Sequence, residues 1–438
     1  METLSSVGWP LTACDALDRL TTVTDALEQA TTYDYDALGN LTSVVNARGK
    51  TTGYTYDALS RLTQEPDPLQ RSRAYAYDAA GRLTSRTDAK QQTTAYGYDD
   101  ANRLTTVTYP VGSLTLTQDD VGNLLTMVDS TGTTTYTYDD LNRILSATSP
   151  GPNTVSYTYD SDGNLATLTY PGSEVATYSH DDAGRLTSVT DWLEKATSYT
   201  YDDAGNVLSA SYPNGVTATY TYDDAGRLAS VVNSQGETTL SSYTYTLDAV
   251  GNRTQMVDLS GTHSYQYDDL YRLTQVTYPN DDEVSYAYDA NGNRTTMTVN
   301  GTPTSYTYDD ADQMTQAVGT SYTYDANGNQ TSGGSDTFSY DYENRLTQTT
   351  VAGTTSSFTY NGLGLRVSKT VGGNTTDYVW SNAGSLPVVL YVGWVGAIGV
   401  GAAYCGFEIV FTGACFGSDA RASEGRPPGY PLGPTTKE

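Results

Sequence analysis

Polar and apolar residues alternate along short stretches of this chain, and the alternation restarts at a nearly fixed interval. In "TTGYTYD", Tyr54 and Tyr56 fall on one side and Thr55 on the other. Period two is the signature of a strand with two unlike faces. A second short run follows each such stretch, as in "RLTSVTD" from Arg185. There Leu186 and Val189 are three apart. A regular strand cannot put both on one face, so the pattern predicts a bulge or one side chain on each face. Between the two runs lies a recurring hexad: "YDALGN" at Tyr35, "YDAAGR" at Tyr77, "YDSDGN" at Tyr159.

Each unit therefore reads as a β-hairpin. Successive markers are mostly 20 or 21 residues apart. Tyr35, Tyr56, Tyr77, Tyr98, Tyr138, Tyr159, Tyr201, Tyr222, Tyr267 and Tyr288 occupy the marker position and predict an aromatic ladder across neighbouring units. The Asp that follows is suited to accept hydrogen bonds from turn amides. Asp36, Asp78, Asp160, Asp202, Asp223 and Asp289 are examples. Three residues further on stands Gly39, Gly81, Gly163, Gly205, Gly226 or Gly292, where a left-handed backbone closes a tight turn. Asn or Asp replaces that glycine in several copies, and only Ser60 and Tyr271 depart from the rule. The hexad is read as a structural joint rather than a repeated active site.

The residue after the glycine alternates. From Arg103 it runs Asn123, Arg143, Asn164, Arg185, Asn206, Arg227, Asn252, Arg272, Asn293. An Arg in every second unit would offset the repulsion of stacked turn carboxylates. Duplication of a two-unit block would leave the same trace, and the two accounts are compatible.

Composition supports an all-β fold. The 438 residues include 39 Tyr but only 5 Phe and 4 Trp. Charge narrows the partners: 51 Asp plus Glu against 23 Lys plus Arg give a net charge of −28. That balance opposes binding to nucleic acid or to anionic lipid surfaces. Cys14, Cys405 and Cys415 show no metal-ligand spacing, and His180 and His263 sit in strand-like stretches. "DSDGN" from Asp160 opens like a calcium loop, but its twelfth position is Pro171. Weak calcium binding along the acidic turns stays open. No phosphate loop or nucleophile elbow is present. No enzyme activity, cofactor or metal site is expected.

"YTYDALSRLTQ", "HDDAGRLTSVTD" and "YTYDDAGRLASVVN" resemble the YD repeats of the Rhs family, shared with teneurins and with insecticidal toxin complexes. The resemblance runs from about Cys14 to Trp380. It implies a large curled antiparallel sheet of repeated hairpins, a partial or open β-shell that encloses a C-terminal toxin polypeptide. It also implies a bacterial polymorphic-toxin or wall-associated setting, secreted or cell-surface associated. A "DPxG" core segment is missing, and the chain is short for a closed shell, so a truncated copy is expected. Exposed strand edges then invite pairing with other shell segments. The alternative implied by the teneurins is cell-surface adhesion through surface glycans held on outward Tyr faces.

After Trp380 the composition changes. The expected division is 1–380 as the repeat segment, 381–418 as an apolar Gly-rich segment and 419–438 as a disordered polar tail. "LPVVLYVGWVGAIGVGAAYCGF" (386–407) carries no charge and is long enough to span a bilayer as a helix. It is the one stretch through which a membrane-active effector could act. A buried strand pair is the competing expectation.

Overall fold

The computed structural model describes residues 11–395, apart from 152, 382 and 384–386. Its elements are 39 strands. Pairing is antiparallel between strands adjacent in sequence; Gly132–Tyr138, for instance, lies between Leu124–Asp129 and Ile144–Ser149. The first five strands, Leu11–Cys14 to Thr51–Gly53, make one ladder. A second begins at Thr55–Tyr56 and runs to Val388–Val395. Among the described residues no register joins that last strand to Thr55–Tyr56.

The expected bulge is present, and its register explains the three-residue spacing. Tyr178 lies opposite Val189, Ser179 opposite Ser188, and His180 opposite Leu186, which leaves Thr187 as the extra residue. Tyr178 and His180 share a face, so Leu186 and Val189 share it too. The same shift recurs at Ala76/Tyr77 and Thr137/Tyr138.

The two faces differ as the alternation requires. In Gly132–Tyr138, Thr134 and Tyr136 are buried while Thr133, Thr135 and Thr137 are exposed. The buried face gathers Val107, Leu114, Met127, Tyr136 and Ala147 into one cluster. On the exposed face hydroxyls pair across strands, as between Thr137 and Ser146 at 2.7 Å and between Thr158 and Thr167 at 2.6 Å. Such cross-strand pairs contribute roughly 0.2–1 kcal/mol each.

Because strand direction alternates, the connections form two opposite rims. The hexad rim carries the YD turns. The connector rim carries the turns between units, such as 46–50, 67–71 and 88–92. The ribbon then returns on itself. Arg48 on the connector rim meets Asp312 on the hexad rim, 264 residues later. Further along, Asp88 meets Asn327 and Tyr109 meets Glu343. At Tyr157 and Ser381 the separation has narrowed to 224. The second winding thus rests its hexad rim on the connector rim of the first, and the sheet is a spiral.

Part of the apolar stretch lies within the described residues, and there the helical expectation is overturned. Val388–Val395 is a strand paired with Asn374–Ser381. Its run of Val suits a pleated edge better than a helix. Among the described residues no helix is long and apolar enough to cross a membrane. The remainder of 386–407 and the 419–438 tail fall outside the described residues.

Candidate functional site

Each hexad folds into the same joint. Asp36 Oδ1 accepts hydrogen bonds from the backbone N–H of Leu38 and Asn40, both at 2.9 Å, and its Oδ2 accepts from Asn40 Nδ2 at 2.8 Å. The Gly39 N–H closes the turn on the Asp36 carbonyl at 3.1 Å. Gly39 adopts φ 89°, and Gly81, Gly163, Gly205, Gly226 and Gly292 follow with φ between 73° and 92°. Ser60 and Tyr271 take the same left-handed backbone, with φ 60° and 59°. The two departures in sequence are therefore no departure in shape. Asp160, Asp202 and Asp289 are closed by Asn164, Asn206 and Asn293. Asp78 and Asp223 are closed by Arg82 and Arg227, each Nε at 2.7 Å.

Arg and Asn are not equivalent. Both close their own turn, and Asn123, Asn293 and Asn329 also touch the side chain of Asn142, Asp312 or Asn344 in the next unit, but Arg goes further, to a backbone carbonyl and a ring there. Arg185 Nη1 donates to the Asp202 carbonyl at 3.0 Å, and its guanidinium lies 4.9 Å from the Tyr201 ring centre. Tyr201 in turn donates its hydroxyl to the Leu186 carbonyl at 2.6 Å. The guanidinium also covers Tyr35, Tyr77, Tyr98, Tyr159 and Tyr288, from Arg19, Arg61, Arg82, Arg143 and Arg272. The hydroxyls of Tyr98, Tyr138, Tyr159, Tyr222, Tyr267 and Tyr288 bond back to a carbonyl of the preceding unit. At Tyr35, Tyr77, Tyr98, Tyr159, Tyr201 and Tyr288 it is thus the guanidinium of the preceding unit that lies over the ring. Tyr56 keeps its strand-end place opposite Leu62.

The joint sets the charge state of its carboxylates. The Asn40 side chain, then its backbone N–H, holds Asp36 below the ordinary carboxylate range. The Arg61 and Arg82 guanidinium bonds lead at Asp57 and Asp78. At Asp181 and Asp223 the backbone N–H of Arg185 and Arg227 leads.

The winding seam has two halves. Along 48–90 it is ionic. Arg48 pairs with Asp289 at 3.3 Å and Asp312 at 2.5 Å, Lys50 with Asp310 at 2.7 Å, and Lys90 with Asp325 at 3.3 Å. A cleft of about 380 Å³ opens here, lined by Asn46, Asp67, Arg71, Asp312, Gln313 and Asn327. Along 109–157 the seam is packed. The Tyr109 and Tyr342 rings stack at 6.3 Å. Gly362 sits so tightly that a Cβ would collide with the end of Leu114 and press on Met127, and its N–H donates to Asp129. Tyr157, 2% exposed, bonds Ser381 at 3.2 Å. Sequence reasoning missed the seam. Its one trace is that Lys and Arg in connector turns, Lys195 aside, occur at Arg48, Lys50, Arg71 and Lys90.

Catalytic chemistry finds little support. Asp258, Ser260 and His263 come together, but Ser260 Oγ and His263 Nε2 each bond to the carboxylate, at 2.5 and 3.0 Å, rather than to each other. The serine has no base, and the carboxylate, pulled down to about 2 first by the Ser260 hydroxyl, anchors a turn. His180 lies opposite Leu186 at a marker position. Among the described residues no cluster could hold a metal ion. The exposed aromatics among them are Trp192, which leans on Tyr170, and Tyr271, each on its own turn. No outward Tyr face gathers there for a glycan.

The repeat and the fold are matched by known proteins. The RHS Repeat family profile matches residues 15–51, 35–72, 56–93 and 77–114, and the Teneurin YD-shell profile matches 124–255 and 249–385. The chain belongs to the teneurin YD-shell family. Solved YD-shell structures share its fold. A crystal structure of TcdB2-TccC3 without its hypervariable C-terminal region aligns with TM-score 0.72 at 18% identity, over 84% of this chain and 24% of that one. The Photorhabdus luminescens Tc holotoxin pore aligns with TM-score 0.62 at 18% identity, over 84% of this chain and 26% of that one. TcdB2-TccC3-Cdc42 aligns with TM-score 0.62 at 17% identity, over 88% and 27%. This YD-shell chain thus spans about a quarter of the length of the structures it matches. No curated protein matches it.

Proposed function

We propose that this chain is a wall segment of a YD shell that wraps a toxin polypeptide, without enzymatic activity of its own, in a secreted or cell-surface toxin system. The observation that carries this reading is the seam: a ribbon that stacks its second winding on its first builds a continuous wall. The solved toxin-complex shells that share the fold support it. Adhesion to surface glycans has less support, because among the described residues the exposed aromatics are Trp192 and Tyr271, each on its own turn. We read the chain as one part of a longer wall, whose open strand edges pair with other shell segments. Fusing a protease-sensitive reporter polypeptide after Glu438 tests containment. The reading expects the fused reporter to be cut at least tenfold more slowly than the free one; equal rates would contradict it.

A further inference from the structure

We propose that the ionic half of the seam is a latch, and that the wall parts there while the packed half serves as the hinge. This concerns the spiral itself and holds whether or not the wall encloses a polypeptide. The two halves join the same rims by different physics. Between 48 and 90 the partners are charged side chains at turn tips, each between 15% and 48% exposed, beside an open polar cleft. Such partly exposed pairs are weak singly, and the water that reaches them carries the salt that screens them. Between 109 and 157 the partners are a ring stack with the Tyr109 hydroxyl on Glu343, a glycine with no room for a Cβ beside Leu114 whose N–H donates to Asp129, and a buried hydroxyl pair. None of these is an ion pair, so salt acts on them far less.

The charges are placed for a latch. Arg48, Lys50, Arg71 and Lys90 stand on three successive connector turns, and the turns laid over them carry Asp289, Asp309, Asp310, Asp312 and Asp325. Asp67 and Asp88 on the cationic side are each occupied, by Arg71 within the turn and by Asn327 across the seam. The hairpins within each winding use backbone ladders, so parting the seam leaves every strand pair intact.

The test uses the full chain with Cys14, Cys405 and Cys415 replaced by Ser. Spin labels at Thr51 and Thr307 span the ionic half, and labels at Ser130 and Thr359 span the packed half. Raising NaCl to about 1 M shortens the Debye length to about 3 Å. The short distance between Thr51 and Thr307 should be lost, while the other pair keeps its distance. Lys50→Asp should bring the same loss at low salt, and adding Asp310→Lys should restore the short distance. No change at either pair, or a parallel loss at both, would overturn the latch. Circular dichroism on the same samples separates seam parting from unfolding; loss of strand signal together with the distance would also overturn it.

Discussion

The wall within one winding and the seam between windings are built from the same turns, yet they hold by different means. Inside the wall, Asp closes a turn whose partner lies four residues away, and Arg carries the link only as far as the next unit. At the seam the partners lie 224 to 264 residues apart, and nothing local prepares them to meet. The wall is redundant, because losing one joint leaves its neighbours in place. The seam is not, because its contacts change from one turn to the next. Repeat proteins gain stability from such nearest-neighbour sums; the spiral adds a single long-range closure on top.

The largest effect should come from pH, which acts on many joints together. The turn carboxylates of Asp36, Asp78 and Asp181 are held below their ordinary value. Their stabilisation is therefore full above the unfolded value of about 3.9 and is lost as pH falls through the lower folded values. At the other end, burial raises the tyrosines, Tyr136 to about 12. That contribution is full below the unfolded value of about 10 and fades above it. The melting temperature should form a plateau from about pH 5 to about pH 9 and fall on both sides. A steady decline between pH 7 and pH 5 would break the account of the joint.

Next in size is Gly362→Val, which forces a side chain against Leu114 and Met127. Overpacking of this kind costs roughly 1–3 kcal/mol. Chemical denaturation should show that loss together with faster proteolysis at the seam; an unchanged midpoint would mean the packed half bears no load. Smaller again is Arg185→Asn, which keeps the turn closed but removes the reach to Asp202 and Tyr201. It should cost about 0.5–1 kcal/mol, the worth of an exposed cation–π contact. Arg185→Gln with Arg227→Gln should cost more than the single change. No drop in melting temperature from either would leave duplication of a two-unit block as the full explanation of the Arg and Asn alternation. The smallest effect, and of opposite sign, is Ser60→Gly. It relieves a left-handed residue and should stabilise by up to about 1 kcal/mol. A loss on denaturation would show that the serine is held by something beyond its backbone.

The wall was legible in the sequence because its causes are local. Alternation gave the strands, the Asp and Gly spacing gave the turn, and the Leu186 to Val189 interval gave the bulge. Ser60 and Tyr271 looked like exceptions only because side-chain identity is a weaker signal than turn geometry. The ladder of Tyr35, Tyr77 and Tyr201 was read as ring on ring, since sequence does not show that the arginine of the preceding unit lies across the ring. The seam was not legible. Arg48 and Lys50 stand on one connector turn, and their partners are more than 240 residues away. Val388–Val395 was ambiguous for a different reason. A charge-free run of Val and Gly fits a helix in lipid and a strand in a sheet equally well until its register with Asn374–Ser381 is known.

The most direct test of the spiral is zero-length carbodiimide cross-linking of the monomer, read by mass spectrometry. The account predicts covalent links from Lys50 to Asp310 and from Lys90 to Asp325, whose charged atoms lie 2.7 and 3.3 Å apart. Links from these lysines only to carboxylates of their own winding, or only in dimers, would contradict it.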